Sequence, residues 1–424
     1  MGAFTYREGE LFCDGVSTFE IVKEVGTPCY VYSRKRMESN LESVKDSLSG
    51  VDHLVCYALK ANGNLNLIKI FTENGCGADV VSGGELELAL RAGVDPSRIV
   101  FAGVGKTDLE IEEAIRNNIL SINVESFDEL KIIDGIAMRM ERKARIAIRV
   151  NPDIDVKTHS YIATGMRNRK FGIEIERAEE AFTLAASLQG LQVEGIHCHI
   201  GSMIMEEEPF VDAAKTLVRL ILTLKAKGIS LRHVDIGGGL GVDYTRIVDD
   251  GLQVGRGGPE APTPETLFSE ILPVLRSVDA KILFEPGRYL VSDAGALITQ
   301  VTLTKRSGER KFVVVDAGMN DLIRPCLYDA YHQVIVARRV GQDTETVWIV
   351  GPICESGDFF TQDRLLPRVA RGDLLAIMGA GAYGYSLSSN YNGRLRLPEV
   401  LVEGKSFRII RERERVEDLW RGIP

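Results

Sequence analysis

Between residues 53 and 288 the chain repeats one pattern eight times: a short β-branched or apolar segment followed, in most cases, by a tract with helical periodicity. The segments are HLVCYALK (53–60), GADVVSGG (77–84), RIVFAG (98–103), LSINVES (120–126), ARIAIRVN (144–151), VEGIHCHIGS (193–202), RHVDIGGG (232–239) and KILFEPGR (281–288). Between them run amphipathic tracts such as NLNLIKIFTENG (64–75), DLEIEEAIRNN (108–118) and PFVDAAKTLVRLILTLKAKG (209–228). Their apolar residues recur at helical spacing, and a Gly of the kind that closes helices often ends them. Strand–helix alternation calls for parallel strands joined by right-handed crossovers. Eight units, most at roughly 25-residue spacing, fit a closed (β/α)8 barrel. An open doubly wound sheet would want a Gly-rich turn after its first strand, and YALKANGN has a single Gly.

After about residue 290 the texture changes. VSDAGALITQVTLTKRSG, KFVVVDAG, HQVIVARRVG, ETVWIVGP and GDLLAIMGAGAYG alternate apolar and polar residues with period two between Gly-rich turns. This predicts an antiparallel β-sandwich or barrel. The fold expected is therefore α/β plus all-β: a barrel over 31–290, a β domain over 291–424, and a mixed segment, 1–30, joining the β domain. The 424 residues carry 51 Lys and Arg against 60 Asp and Glu, a net charge of −9, which argues against nucleic acid or an anionic membrane as partner. No basic n-region with an apolar run opens the sequence, and no stretch approaches a membrane span. The seven cysteines are scattered without a C-x-x-C, which reads as a reduced, cytoplasmic protein.

Chemistry in such a barrel sits at the C-terminal strand ends. Lys60 ends the first strand, where partial desolvation would make its amine nucleophilic; a lysine snorkelling at a strand end is the alternative. Asp79 lies near the end of the second. DIGGGLG after the seventh strand offers backbone N–H groups to a phosphate, or is only a tight turn, and EPGR adds Arg288 at the eighth. A phosphate cofactor with a strand-end lysine points to a Schiff base with pyridoxal phosphate. Glu285 would then keep the pyridine nitrogen protonated, unless it only pairs with a neighbouring Arg. His197 and His199 form an H-x-H on one strand face; with six His in the chain no metal site is expected, and a flat imidazole stacked on a cofactor suits His199. GVGKT (103–107) fails as a P-loop because Val100 stands where Gly is required. In the β domain Cys354, beside Glu355, could deliver a proton.

YALKAN, GADVVSGGEL, HCHIGS, DIGGGLG, EPGR, RPCLYDAYH, CESGDFF and GAYGYSLSSNYN, in this order, resemble the diaminopimelate decarboxylase family of fold-type III pyridoxal-phosphate decarboxylases, to which alanine racemase is more distantly related. The resemblance covers nearly the whole chain. It implies that Lys60 holds pyridoxal phosphate, that His199 stacks on the ring with Asp79 nearby, and that Glu285 pairs with the pyridine nitrogen. Ser202, Gly238, Gly239, Gly287, Arg288 and Tyr383 would surround the phosphate. Arg288, Arg324, Tyr328, Glu355 and Tyr383 would bind the substrate, meso-diaminopimelate, and Cys354 would protonate the product carbon. Cys354 and Glu355 would come from the partner of a homodimer. Met203 departs from the family, where many members have Gln. Rival readings are a decarboxylase of ornithine, lysine, arginine or carboxynorspermidine, a non-catalytic regulatory homologue, a metal-dependent hydrolase and an amino-acid racemase. The polar loop 151–172 is either a cover for the site or a surface insertion.

Overall fold

A computed structural model describes residues 2–154, 170–252, 260–339 and 343–424. The loop 151–172, read as either a cover for the site or a surface insertion, therefore lies mostly outside the described residues. The chain divides into two compact units: one of residues 41–242 and 260–287, the other of 1–40, 243–259 and 288–424.

The first unit is a closed barrel. Its strands are β1 (His53–Ala58), β2 (Gly77–Val80), β3 (Ile99–Phe101), β4 (Ser121–Val124), β5 (Ala144–Asn151), β6 (Leu191–His197), β7 (His233–Asp235) and β8 (Lys281–Phe284). Each pairs in parallel with the next, and β8 closes on β1 through Ile282↔His53, Leu283↔Leu54 and Phe284↔Val55. Strands of a closed parallel barrel face side chains on one surface and helices on the other, so they read as nearly continuous apolar runs. Cys56 of β1, Val100 of β3 and Leu283 of β8 pack together as one buried cluster.

Polar residues just past the strands start the helices. Asn64, Ser82, Thr107 and Ser126 cap helices 65–73, 83–91, 108–116 and 127–139, each accepting a backbone N–H from the first turn. Thr107 and Glu110 complete a capping box. Ser82 of GADVVSGG is therefore a helix cap.

The second unit contains a nine-stranded sheet. Most pairs are antiparallel, but strand 310–315 runs parallel to 344–350, and strand 29–33 runs parallel to 399–403. The all-antiparallel expectation thus needs correction. Period-two alternation reports which face is buried and carries no information on strand direction. Strand 29–33 is flanked by 295–307 on one side and 399–403 on the other, and all five of its residues are buried. A core of Phe4, Leu11, Ile21, Val31, Ile298, Ala376, Met378 and Val400 ties the N-terminal elements to this sheet. No helix of the described residues is long and apolar enough to cross a membrane.

Candidate active site

At the barrel mouth Lys60 lies just beyond β1, in a 3-10 turn over 59–61, so it leaves the end of the strand by one turn. Its Nζ donates to Asp79 Oδ2 at 2.6 Å, and Asp79, on β2, is fully buried. Burial and the nearby Glu285 push the Asp79 carboxyl up, and the Lys60 ammonium draws it back.

The H-x-H pair is split by the end of β6. His197 is its last residue and is buried; His199 stands beyond the strand, half-buried. His199 Nδ1 accepts the Gly238 N–H at 3.2 Å, which leaves any ring proton on Nε2. Burial, with Lys60 and Arg149 nearby, holds its pKa well below the usual imidazole value, so the ring is neutral and flat. His197 Nε2 meets Glu285 Oε2 at 3.3 Å. Glu285 follows β8 and is buried; burial opposes its ionisation, but His197 and Lys60 hold its carboxyl below the ordinary range. Its second oxygen, Oε1, has no hydrogen-bond partner among the described residues.

The glycine run packs tightly between these strand ends. A Cβ at Gly238 would sit 2.1 Å from the Glu285 carbonyl oxygen. Gly239 has φ +108°, and its Cβ would sit 2.2 Å from the Gly201 carbonyl oxygen. Ile204 N–H donates to Gly239 O, and Gly241 N–H to Ile204 O, which joins this loop to the one carrying Ser202 and Met203. Gly287 sits against the turn of Lys60, with its Cβ position 3.0 Å from Ala61 Cβ.

A second constellation lies in the β unit. Arg288 opens a short helix, is 8% exposed, and donates from Nη1 to the Tyr244 hydroxyl at 3.0 Å. Its guanidinium lies 4.7 Å from the Tyr383 ring centre, and Tyr383 has φ +56°. Arg324 opens the helix 324–328 that Tyr328 ends; it is 4% exposed and lies 4.8 Å from the Tyr244 ring centre. Arg324 Nη1 donates to His332 Nε2 at 2.8 Å, while His332 Nδ1–H donates to the Met378 carbonyl at 2.8 Å. Burial and Arg324 keep His332 well below its usual pKa. Burial alone would raise the Tyr244 hydroxyl, but Arg324 and Arg288 lower it. Cys354 and Glu355 stand exposed on a separate turn of this unit. Cys354 N–H donates to Asn392 Oδ1 at 3.0 Å, and the Tyr391 hydroxyl donates to Glu355 Oε2 at 2.8 Å. Asp358 braces the turn, accepting the Ile353 and Met319 amides at 2.6 and 2.7 Å.

Sequence reasoning passed over Tyr244, His332, Tyr391, Asn392 and Asp235. His332, Tyr391 and Asn392 lie inside quoted motifs, RPCLYDAYH and SLSSNYN, but only their neighbours were selected. Asp235 was in plain view as the last residue of strand seven, eclipsed by the glycines after it. Tyr244 follows the glycine loop in a stretch with no periodicity to mark it.

Residues 34–292 match the model of the pyridoxal-dependent decarboxylase family, pyridoxal binding domain. The chain is 48% identical to diaminopimelate decarboxylase of Aquifex aeolicus, over 96% of this chain and 94% of that one. It is 44% identical to the enzyme of that name from Pseudomonas aeruginosa, over 100% of this chain and 99% of that one. The solved structure of diaminopimelate decarboxylase from Helicobacter pylori, complexed with L-lysine, superposes with a TM-score of 0.89 at 43% identity, covering 95% of this chain and 98% of its own. With this match running the length of both units, the chain belongs to the diaminopimelate decarboxylase family of pyridoxal-dependent decarboxylases.

Proposed function

We propose that the protein decarboxylates meso-2,6-diaminopimelate to L-lysine and CO2 with pyridoxal phosphate as cofactor. The observation that carries the substrate is Arg324. Its guanidinium is buried against a neutral imidazole and an aromatic ring, and no carboxylate among the described residues forms an ion pair with it. A buried cation without a counter-ion is costly unless a ligand supplies the anion. Diaminopimelate has a carboxylate at its non-reacting end, and ornithine and lysine have none. The full-length identity to diaminopimelate decarboxylases supports the same choice.

The barrel mouth fits the cofactor. It offers a lysine within reach of a buried acid, a neutral flat imidazole, a buried Glu285 oxygen lacking a partner, and a glycine loop whose backbone is free of side chains. When bound, pyridoxal phosphate supplies a ring that takes up the electron pair left by the departing carboxyl group. Lys60 is the residue that would hold it, with Asp79 orienting the amine. His199 would cover one ring face, and Glu285 would keep the pyridine nitrogen protonated. Ser202, Gly238, Gly239, Gly287, Arg288 and Tyr383 would take the phosphate. Arg288, Arg324, Tyr328 and Tyr383 would orient the substrate and hold its distal carboxylate, and Glu355 its distal ammonium. Cys354 would give its thiol proton to the carbon that has lost CO2.

The exposure of Cys354 and Glu355 on their own chain supports delivery to a second copy, and hence a homodimer with shared sites. The cysteine pattern supports a cytoplasmic location. Purified protein incubated with pyridoxal phosphate and meso-diaminopimelate should release L-lysine and CO2 in equal amounts. Faster turnover of ornithine, lysine or arginine would overturn the assignment of substrate.

A further inference from the structure

Asp235 ends β7 and is fully buried. One oxygen, Oδ1, accepts the Gly237 N–H at 2.9 Å. The other, Oδ2, has no hydrogen-bond partner among the described residues, and neither has Glu285 Oε1. His197, Asp235 and Glu285 each bring a polar side-chain atom to within 4.8 Å of the others. Two neighbouring buried carboxylates, each with an acceptor oxygen lacking a donor, pay desolvation and repulsion together. One proton between them removes both defects.

The surroundings decide where that proton resides. Glu285 already has His197 on its other oxygen and Lys60 in its field. Asp235 accepts from a backbone amide and has Glu285, Asp79, the Cys56 and Cys198 thiols and His197 as titratable neighbours among the described residues. Burial and Glu285 push the Asp235 carboxyl well up, while His197 and Lys60 hold that of Glu285 down against its burial.

We propose that Asp235 is a neutral carboxylic acid that donates a hydrogen bond to ionised Glu285 and fixes the direction of its charge. Asp235 is then a positioning residue. Its effect on catalysis rests on the reading of Glu285 as partner of the pyridine nitrogen; the shared proton itself does not.

Asp235→Asn tests this directly, because the amide keeps an acceptor for Gly237 and a donor for Glu285. In full-length protein carrying 13C at the aspartate side-chain carboxyls, with and without pyridoxal phosphate, infrared spectra at pH 7.5 should contain a protonated aspartic C=O band that Asp235→Asn abolishes. Asp235→Asn should keep kcat within about threefold of the parent and leave the visible spectrum of the bound cofactor in place. Asp235→Ala should shift that spectrum and lower kcat about tenfold to a hundredfold. Absence of the band, an Asn variant as impaired as the Ala variant, or a stoichiometric metal ion in the purified protein would overturn the proposal. If the band is present and Glu285→Gln leaves the cofactor spectrum unmoved, the Glu285 reading fails while the shared proton stands.

Discussion

Truncating Arg324 to alanine separates recognition of the distal carboxylate from the rest of the reaction. In the structure this guanidinium spends one N–H on His332 Nε2, at 2.8 Å, and also interacts with Tyr244, and among the described residues it forms no ion pair with a carboxylate. Two charge-assisted hydrogen bonds to a carboxylate contribute about 1.5–3 kcal/mol each. With Arg288 close by to retain part of the attraction, a net loss of about 3 kcal/mol is reasonable, or roughly 150-fold in kcat/KM at 1.36 kcal/mol per decade. The truncation also deprives His332 of a donor, but that cost falls on every substrate alike. The ratio of kcat/KM for meso-diaminopimelate to that for L-ornithine, which lacks the distal carboxylate, is therefore the informative quantity. It should fall by about two orders of magnitude, with most of the loss in the diaminopimelate value. An equal fall for both substrates would refute the reasoning and make Arg324 a structural residue of the β unit.

The other expectations concern the remaining parts of the site and the fold. Asn392→Gly keeps the left-handed backbone at φ +58° and removes the acceptor of the Cys354 amide; losing about 1 kcal/mol of ordering should lower kcat about fivefold without changing thermal stability, and an unchanged kcat would free Cys354 from this anchor. Gly238→Ala forces a Cβ to 2.1 Å from the Glu285 carbonyl oxygen, and overpacking of about 1–3 kcal/mol should weaken pyridoxal phosphate binding about fivefold or more in an equilibrium titration. His233 is buried, and its pKa is lowered to about 4, by burial first and then by His197 and Lys281. Because the unfolded chain binds this proton near pH 6.5 and the folded chain does not, the contribution is intact above that pH and lost as pH falls toward 4, about 3 kcal/mol in all. His233→Gln should flatten the fall in urea midpoint between pH 7 and pH 4.5; an unaltered slope would assign the acid sensitivity elsewhere.

The barrel was legible because parallel strands buried on both faces leave contiguous apolar runs, and because several helix starts carry their own cap, as in DVVSGGEL and GKTDLE. Strand ends also located the mouth residues, since in this architecture order along the chain is order around the ring. Lys60 and His199 fell one turn or one loop beyond the strands assigned to them, which is where boundaries read from periodicity are weakest. In the β unit the sequence revealed strands but not partners. Nothing local in CYVYS announces that it lies between 295–307 and 399–403, or that one of those neighbours runs parallel to it. Tyr244 and His332 were illegible for a related reason. Their contacts with Arg288 and Arg324 exist only because distant segments converge, and no spacing within either segment encodes that convergence.

The placement of strand 29–33 has a consequence for synthesis. The ribosome makes this fully buried strand first, then the entire barrel, and only afterwards the segments 295–307 and 399–403 that cover its two edges. Throughout translation of the barrel the nascent protein therefore displays an open, buried-type edge, the kind of surface to which chaperones and neighbouring chains attach. The barrel can close as soon as residues 281–284 have emerged, whereas the β unit waits for residue 403. Yield in the cell should thus depend on how fast the last hundred or so residues arrive, a burden that falls on the translation machinery and leaves no trace in the finished enzyme.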